Sequence, residues 1–294
     1  MRLIAAHQLQ KFGQGVQPMS MQFPGTMSVF ATEGFSVPPP PEGPLPDPMV
    51  LAVISAVLAV TATAILGWVI RSFVKERSTL GIFIVSAALI GATVEPEWDF
   101  LLGVQFFPAS GTPALYSPYG LNVFLWFFGA WVVWVCLIGI PVIYADRRGR
   151  RSSDLWWILV AGILFDATAQ ALVSRLHVST YYGPQPFKIL GGAPFHVPVV
   201  LATAFATSGL LLGRLHDRLP GYRKLAALPV SGLATTAVVA WANLPVFLGR
   251  GTGLSSTALN LLGLVSIALA LWTFALVLAA CGLEQQDGPP LPAD

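Results

Sequence analysis

The chain has 294 residues, 55% of them hydrophobic and only 10% charged, with a formal net charge of +2. Soluble domains carry about 25% charged residues, so this composition excludes a globule solvated by water on all sides, and nothing in the near-neutral charge suggests a nucleic-acid partner. The two cysteines, Cys136 and Cys281, sit in apolar runs, which argues against a disulfide framework, and no Cys/His spacing of a metal site occurs.

Residues 1–48 lack a continuous apolar run and end in the proline-rich stretch Val37 to Pro48. That stretch predicts an extended, poorly ordered tail rather than a cleavable signal peptide. Residues 49–282 hold seven runs near the roughly 20 apolar residues a membrane span needs: 49–70, 79–94, 121–145, 154–173, 195–212, 225–248 and 257–281. The expected fold is all-α, a polytopic bundle of about seven transmembrane helices, followed by a short C-terminal tail at 283–294.

Lys and Arg in the connecting loops set the expected orientation. Arg71, Lys75 and Arg77, then Arg147, Arg148, Arg150 and Arg151, then Arg214, Arg218, Arg223 and Lys224 place eleven of the 16 basic residues on one side. The N-terminus is therefore expected outside and the C-terminus in the cytoplasm.

Polar groups inside a membrane are costly and face the bundle interior or a wet cavity. Here they fall in the outer half of the predicted bundle. Glu95, Glu97, Trp98 and Asp99 follow the second span, with Pro96 suited to the first turn of a short helix. Asn122 opens the third span. Asp166 and Gln170 lie one helical turn apart in the fourth. Tyr181, Tyr182 and Gln185 stand in a loop made rigid by Gly183, Pro184 and Pro186. His196 opens the fifth span, and Trp241 and Asn243 come late in the sixth. The other half reads as Leu, Val, Ala and Ile, so the residues predict one polar pocket open toward the outer leaflet or the outer aqueous face. Glu95 and Asp99 can share a helix face, and paired carboxyls in a dry pocket divide into one acid and one base. For Glu97 a solvated loop position weighs equally, and the tyrosines also suit a membrane interface. His196 is a candidate proton shuttle, with a structural role the commoner alternative.

Several classes lack their residues. A retinal protein needs a lysine in mid-span, a prenyltransferase needs paired Asp-rich motifs, and a desaturase needs many histidines; none is present. Neither a phosphate-binding Gly-rich loop nor a Gly-x-Ser-x-Gly elbow occurs. An enzyme built from these residues works by proton transfer from carboxyls and phenols, with no metal, cofactor or nucleotide. A carrier for a lipophilic metabolite would use the same pocket for binding, and a terpene-type membrane cyclase would use the same acid.

Glu95-Pro96 after the second span, then Tyr182-Gly183-Pro184-Gln185-Pro186-Phe187 before a fifth span containing Pro198, resembles the AveC-type spirocyclases, actinobacterial membrane proteins of macrolide polyketide biosynthesis. The resemblance covers residues 49–281 and is carried mainly by those two short strings. It departs from the family pattern after the second, where Phe195, His196 and Leu201 stand in place of Trp and Asn residues. It implies a bacterial plasma-membrane enzyme that closes a spiroketal on a lipophilic dihydroxyketone polyketide, with loss of water. On that model Glu95 and Asp99 serve as acid and base, and Asp166 steadies the cation. Tyr181, Tyr182, Gln185, Gln170, His196, Trp241, Asn243, Asn122, Glu97 and Trp98 are the candidates for holding substrate.

Overall fold

The computed structural model describes residues 46–107, 114–188 and 192–282. Most of the predicted N-terminal tail and all of 283–294 lie outside the described residues. Among the described residues, seven helical segments are long and apolar enough to cross a membrane, and they form an all-α bundle with one small two-stranded sheet.

Helix α1 (Pro48–Glu76) begins where the proline run ends: the Asp47 side chain accepts from the Met49 amide at 2.7 Å and Pro48 occupies the first turn. Only 6% of its most apolar stretch is buried. Leu51, Ile54, Leu58 and Ile65, at helical spacing, form the stripe that meets the bundle.

The second span departs from its predicted end. Helix α2 (Leu80–Gly91) tightens into a 3-10 turn at Ala92–Val94 and continues as α3 (Glu95–Leu102). Pro96 has no N–H to give an α-helical ladder, so the chain keeps its direction while changing hydrogen-bond pattern. Glu95, Glu97 and Asp99 therefore belong to the span itself and do not follow it.

The third span starts at Leu125, not Leu121, as α4 (Leu125–Trp134). It passes through a π-helical turn at Val135–Gly139 and ends as α5 (Ile140–Arg147). Pro141 removes the amide that a regular helix would use there, which accounts for the wide turn. Asn122 is left in the preceding loop, where its side-chain oxygen accepts from Ser117 at 2.7 Å. Helix α6 (Ser152–Arg175) forms the fourth span.

Helix α7 (His196–Arg218) is the axis, with 94% of its apolar window buried. Gly209 meets Gly139 backbone to backbone, letting α7 touch the π turn. Helix α8 (Val230–Gly251) follows a 3-10 segment, Gly221–Ala227, and α9 (Ser256–Ala280) closes the bundle. Strand β1 (Val104–Phe106) pairs antiparallel with β2 (Ser179–Tyr181), Val104 facing Tyr181.

At the arginine-rich face, Arg214 binds Asp146 at 2.6 Å and donates to the Cys281 carbonyl at 2.6 Å, and Arg147 pairs with Asp217. These contacts tie together the ends of α5, α7 and α9. That half is not purely aliphatic as expected: Ser208 donates to Ser231 at 3.0 Å in the α7–α8 interface.

Candidate functional site

A cavity of about 110 Å³ lies in the half of the bundle away from the arginines. Its back wall is aromatic. Trp98 of α3 and Trp131 of α4 have ring centroids 4.5 Å apart, and both pack against Phe205 of α7, at 5.7 and 5.5 Å. Trp126, Phe127 and Trp134 of α4 continue the lining, with Phe106 of β1. Helical spacing puts Phe127, Trp131 and Trp134 on one face of α4.

Two carboxyls meet indole N–H groups from that face. Trp131 donates to Glu95, which lines the cavity. Trp134 donates to Asp166 at 2.6 Å. Asp166 is wholly buried and its second oxygen has no hydrogen-bond partner. Gln170, one turn along α6, lines the cavity and accepts from the Tyr181 hydroxyl at 2.9 Å. Asp99 follows Glu95 by one turn of α3 and is 3% exposed. Tyr181 stands among all three: burial, then Asp166, Asp99 and Glu95, hold its hydroxyl well above the usual phenol range, so it remains a hydrogen-bond donor. Glu95, Asp99, Asp166, Gln170 and Tyr181, five of the sequence candidates, thus form one group from three elements. Trp98 joins them as a wall, its N–H donating to Thr236 at 3.0 Å.

A second group of candidates sits at the other end of α3 and caps it. A helix end leaves four carbonyls without intrahelical donors. Asn243 donates to the Leu101 carbonyl at 2.6 Å, and Arg250 to those of Phe100 and Leu101 at 3.2 and 3.0 Å. Gln185 donates to the Leu102 carbonyl at 3.1 Å, and the Tyr182 amide to that of Gly103 at 2.8 Å. His196 bonds Asn243 at 2.9 Å. Burial pushes the Tyr182 hydroxyl up to about 12, with Arg250 drawing it back. Asn243, Gln185, Tyr182 and His196 do not line the cavity; they hold the helix that carries Glu95 and Asp99. Asn260 of α9 holds the same loop, accepting from the Phe187 amide at 3.0 Å.

Three expected substrate contacts fall elsewhere. Trp241 is 50% exposed and points out of the bundle, because its place on α8 turns it away from Asn243. Asn122 is held in its loop by Ser117. Glu97 is half-buried on the side of α3 near Tyr116, one carboxyl oxygen without a hydrogen-bond partner. Sequence reasoning missed Trp131, Trp134 and Arg250. The spacing of the tryptophans on one helix face was the available signal for the first two. Among the described residues, no three His, Cys, Asp or Glu side chains are grouped to hold a metal ion. Compared with family models, with curated proteins and with solved structures, the chain matches none.

Proposed function

We propose that the chain is a membrane cyclase that closes a ring on a lipophilic, oxygen-bearing substrate by carboxyl acid–base chemistry, most specifically a spiroketal from a dihydroxyketone. The observation that supports this best is Glu95 set in an aromatic cavity, with Asp99 one turn behind it and the Tyr181–Gln170 pair opposite. In the proposed reaction one substrate hydroxyl adds to the ketone, giving a hemiketal. Glu95 protonates the hemiketal hydroxyl, the C–O bond breaks and water leaves with the electron pair. The second hydroxyl attacks the resulting oxocarbenium carbon and gives up its proton to the carboxylate, restoring the acid. One water is lost and two C–O bonds join the former ketone carbon.

The faces of Trp98, Trp131 and Phe205 suit the cation, since aromatic faces attract positive charge. Asp99 relays the proton, and Asp166 acts through Trp134 to position the wall. The arginine bias supports a cavity half that faces the outer leaflet, and the bacterial plasma membrane is part of the proposal through the resemblance alone. A carrier for a lipophilic metabolite is the second reading. The ion pairs and close packing at the arginine face favour chemistry over passage, because a carrier must open on that side too. The test is to incubate purified protein in nanodiscs with a dihydroxyketone and analyse the products by mass spectrometry. Loss of one water, with a spiroketal as product, supports a cyclase. Saturable binding with unchanged ligand supports a carrier.

A further inference from the structure

We infer that the cavity is entered sideways from the bilayer, through the gap between α1 and α6, and that α1 is the wall that yields; this rests on the cavity being the substrate site. The lining is asymmetric. Its back, Trp98, Trp131, Leu201 and Phe205, is buried, whereas Ile54, Leu58, Ala130, Trp134, Ala169 and Val173 are half-exposed and form one rim on α1, α4 and α6. Every rim residue is apolar. Among the described residues α1 packs mainly on α2 and α4 and makes no extended contact with α6.

The other directions are shut. Toward the near membrane surface, the β1–β2 ribbon covers the cavity. Phe106 and Val178 form part of its lining, Val104 and Ser179 are buried, and the Phe107 amide donates to the Val178 carbonyl at 2.8 Å. Phe106 is in turn held by Trp126 and Phe127, at 5.7 and 4.8 Å. Toward the arginine face the bundle is closed by α7 against the π turn and by the paired charges. The rim lies at hydrocarbon depth: Ile54 and Leu58 follow Pro48 at the start of α1, and Ala169 and Val173 precede Arg175 at the end of α6. At a rise of about 1.5 Å per residue they fall within about 15 Å of those ends, inside a hydrocarbon core about 30 Å thick.

Size completes the case. Pockets for drug-sized ligands run to roughly 300–1,000 Å³, and this cavity is about 110 Å³. A substrate of that size needs a wall to move. The ribbon and α7 are each held by several bonds, while α1 rests on one apolar stripe. The ligand class is accordingly a molecule dissolved in the bilayer, presenting hydrocarbon to the rim and its oxygens to Glu95 and Gln170.

The experiment uses the full chain in nanodiscs and an adamantyl diazirine dissolved in the lipid. Its photogenerated carbene inserts into nearby residues whether or not turnover occurs. Insertion is mapped by peptide mass spectrometry. Lateral entry predicts label on the back wall at Trp131 and Leu201. That label falls several-fold in A169W and in I54W, two independent ways of filling the rim, while label on the outward-facing Leu164 stays constant. T180W, on the ribbon, leaves it unchanged. If A169W and I54W, folded by circular dichroism, leave back-wall label at the wild-type level, or if T180W alone lowers it, the lateral route is wrong. Failure of a dihydroxyketone to cyclise would overturn the cyclase assignment and leave the labelling result standing.

Discussion

The guanidinium of Arg250 occupies the space a side chain on residue 103 would need: its Nη1 stands where a Cβ on Gly103 would be. Gly103 also has a φ of +66°, in the left-handed region that favours glycine. The chain thus turns out of α3 at a residue that must be small for one neighbour and achiral for its own backbone. G103A is expected to cost about 2 kcal/mol or more, combining left-handed strain of about 1–2 kcal/mol with displacement of a guanidinium that caps α3. A melting curve in detergent checks this, with R250A expected to fall in the same direction by loss of two hydrogen bonds. Melting of G103A at the wild-type temperature would contradict it.

The two glycines at the α7 crossing make unequal demands. A Cβ on Gly209 would lie 2.6 Å from the Gly139 Cα, whereas one on Gly139 would find its nearest atom at 3.4 Å, an ordinary contact. G209A is expected to destabilise by about 1–3 kcal/mol, the usual range for overpacking, and G139A by much less. Paired thermal melts of the two variants decide the matter, and equal losses would contradict the geometry.

Tyr182 links stability to alkaline pH. Its folded-state hydroxyl is pushed up to about 12, against about 10 for a free phenol. A group whose folded value is raised contributes fully below its unfolded value and loses that contribution as pH rises through the folded one. Stability is therefore expected to decline between about pH 10 and pH 12 through this group. Y182F removes the component, so the difference in melting temperature between wild type and Y182F should shift in favour of Y182F across that window. A difference that stays constant with pH would contradict the assignment.

Tyr181 makes a sharper functional prediction. Y181F removes the donor to Gln170, a net loss of about 1 kcal/mol in stability. On the cyclase mechanism, it lowers turnover more than it changes substrate affinity, because Gln170 lines the cavity beside the reacting centre. Kinetics on the purified variant separate the two parameters. A rise in KM with kcat unchanged would reassign Tyr181 to binding.

Hydropathy made the seven spans legible, because lipid imposes a length and an apolar composition on each. The end of the second span was not legible in that way. Glu95-Pro96-Glu97-Trp98-Asp99 reads by charge as a short helix beyond the span, yet the carboxyls find an indole N–H donor or burial within the bundle and the span runs on through them. Tertiary contact outweighs local polarity there. The grouping of Glu95, Asp99, Asp166 and Gln170 followed from their depth along the spans, which a helix preserves. The division into a cavity group and a capping group did not, since depth along the chain does not say that Asn243 and Gln185 meet the carbonyls that end α3 while Tyr181 meets Gln170. Arg250 is the penultimate residue of α8, where a charge reads as an interfacial one; the structure turns it inward onto the carbonyls of α3. Trp241 shows the limit of counting depth without face.

The most direct test of the central claim is turnover of a dihydroxyketone by the wild-type chain and by E95Q, purified in nanodiscs and matched for melting behaviour. The glutamine keeps the shape and the contact with Trp131 but has no proton to give. Spiroketal formation by the wild type, reduced about 100-fold or more in E95Q as expected for loss of a general acid, is the predicted result. Spiroketal formed by E95Q at the wild-type rate would contradict the assignment of Glu95 as the acid.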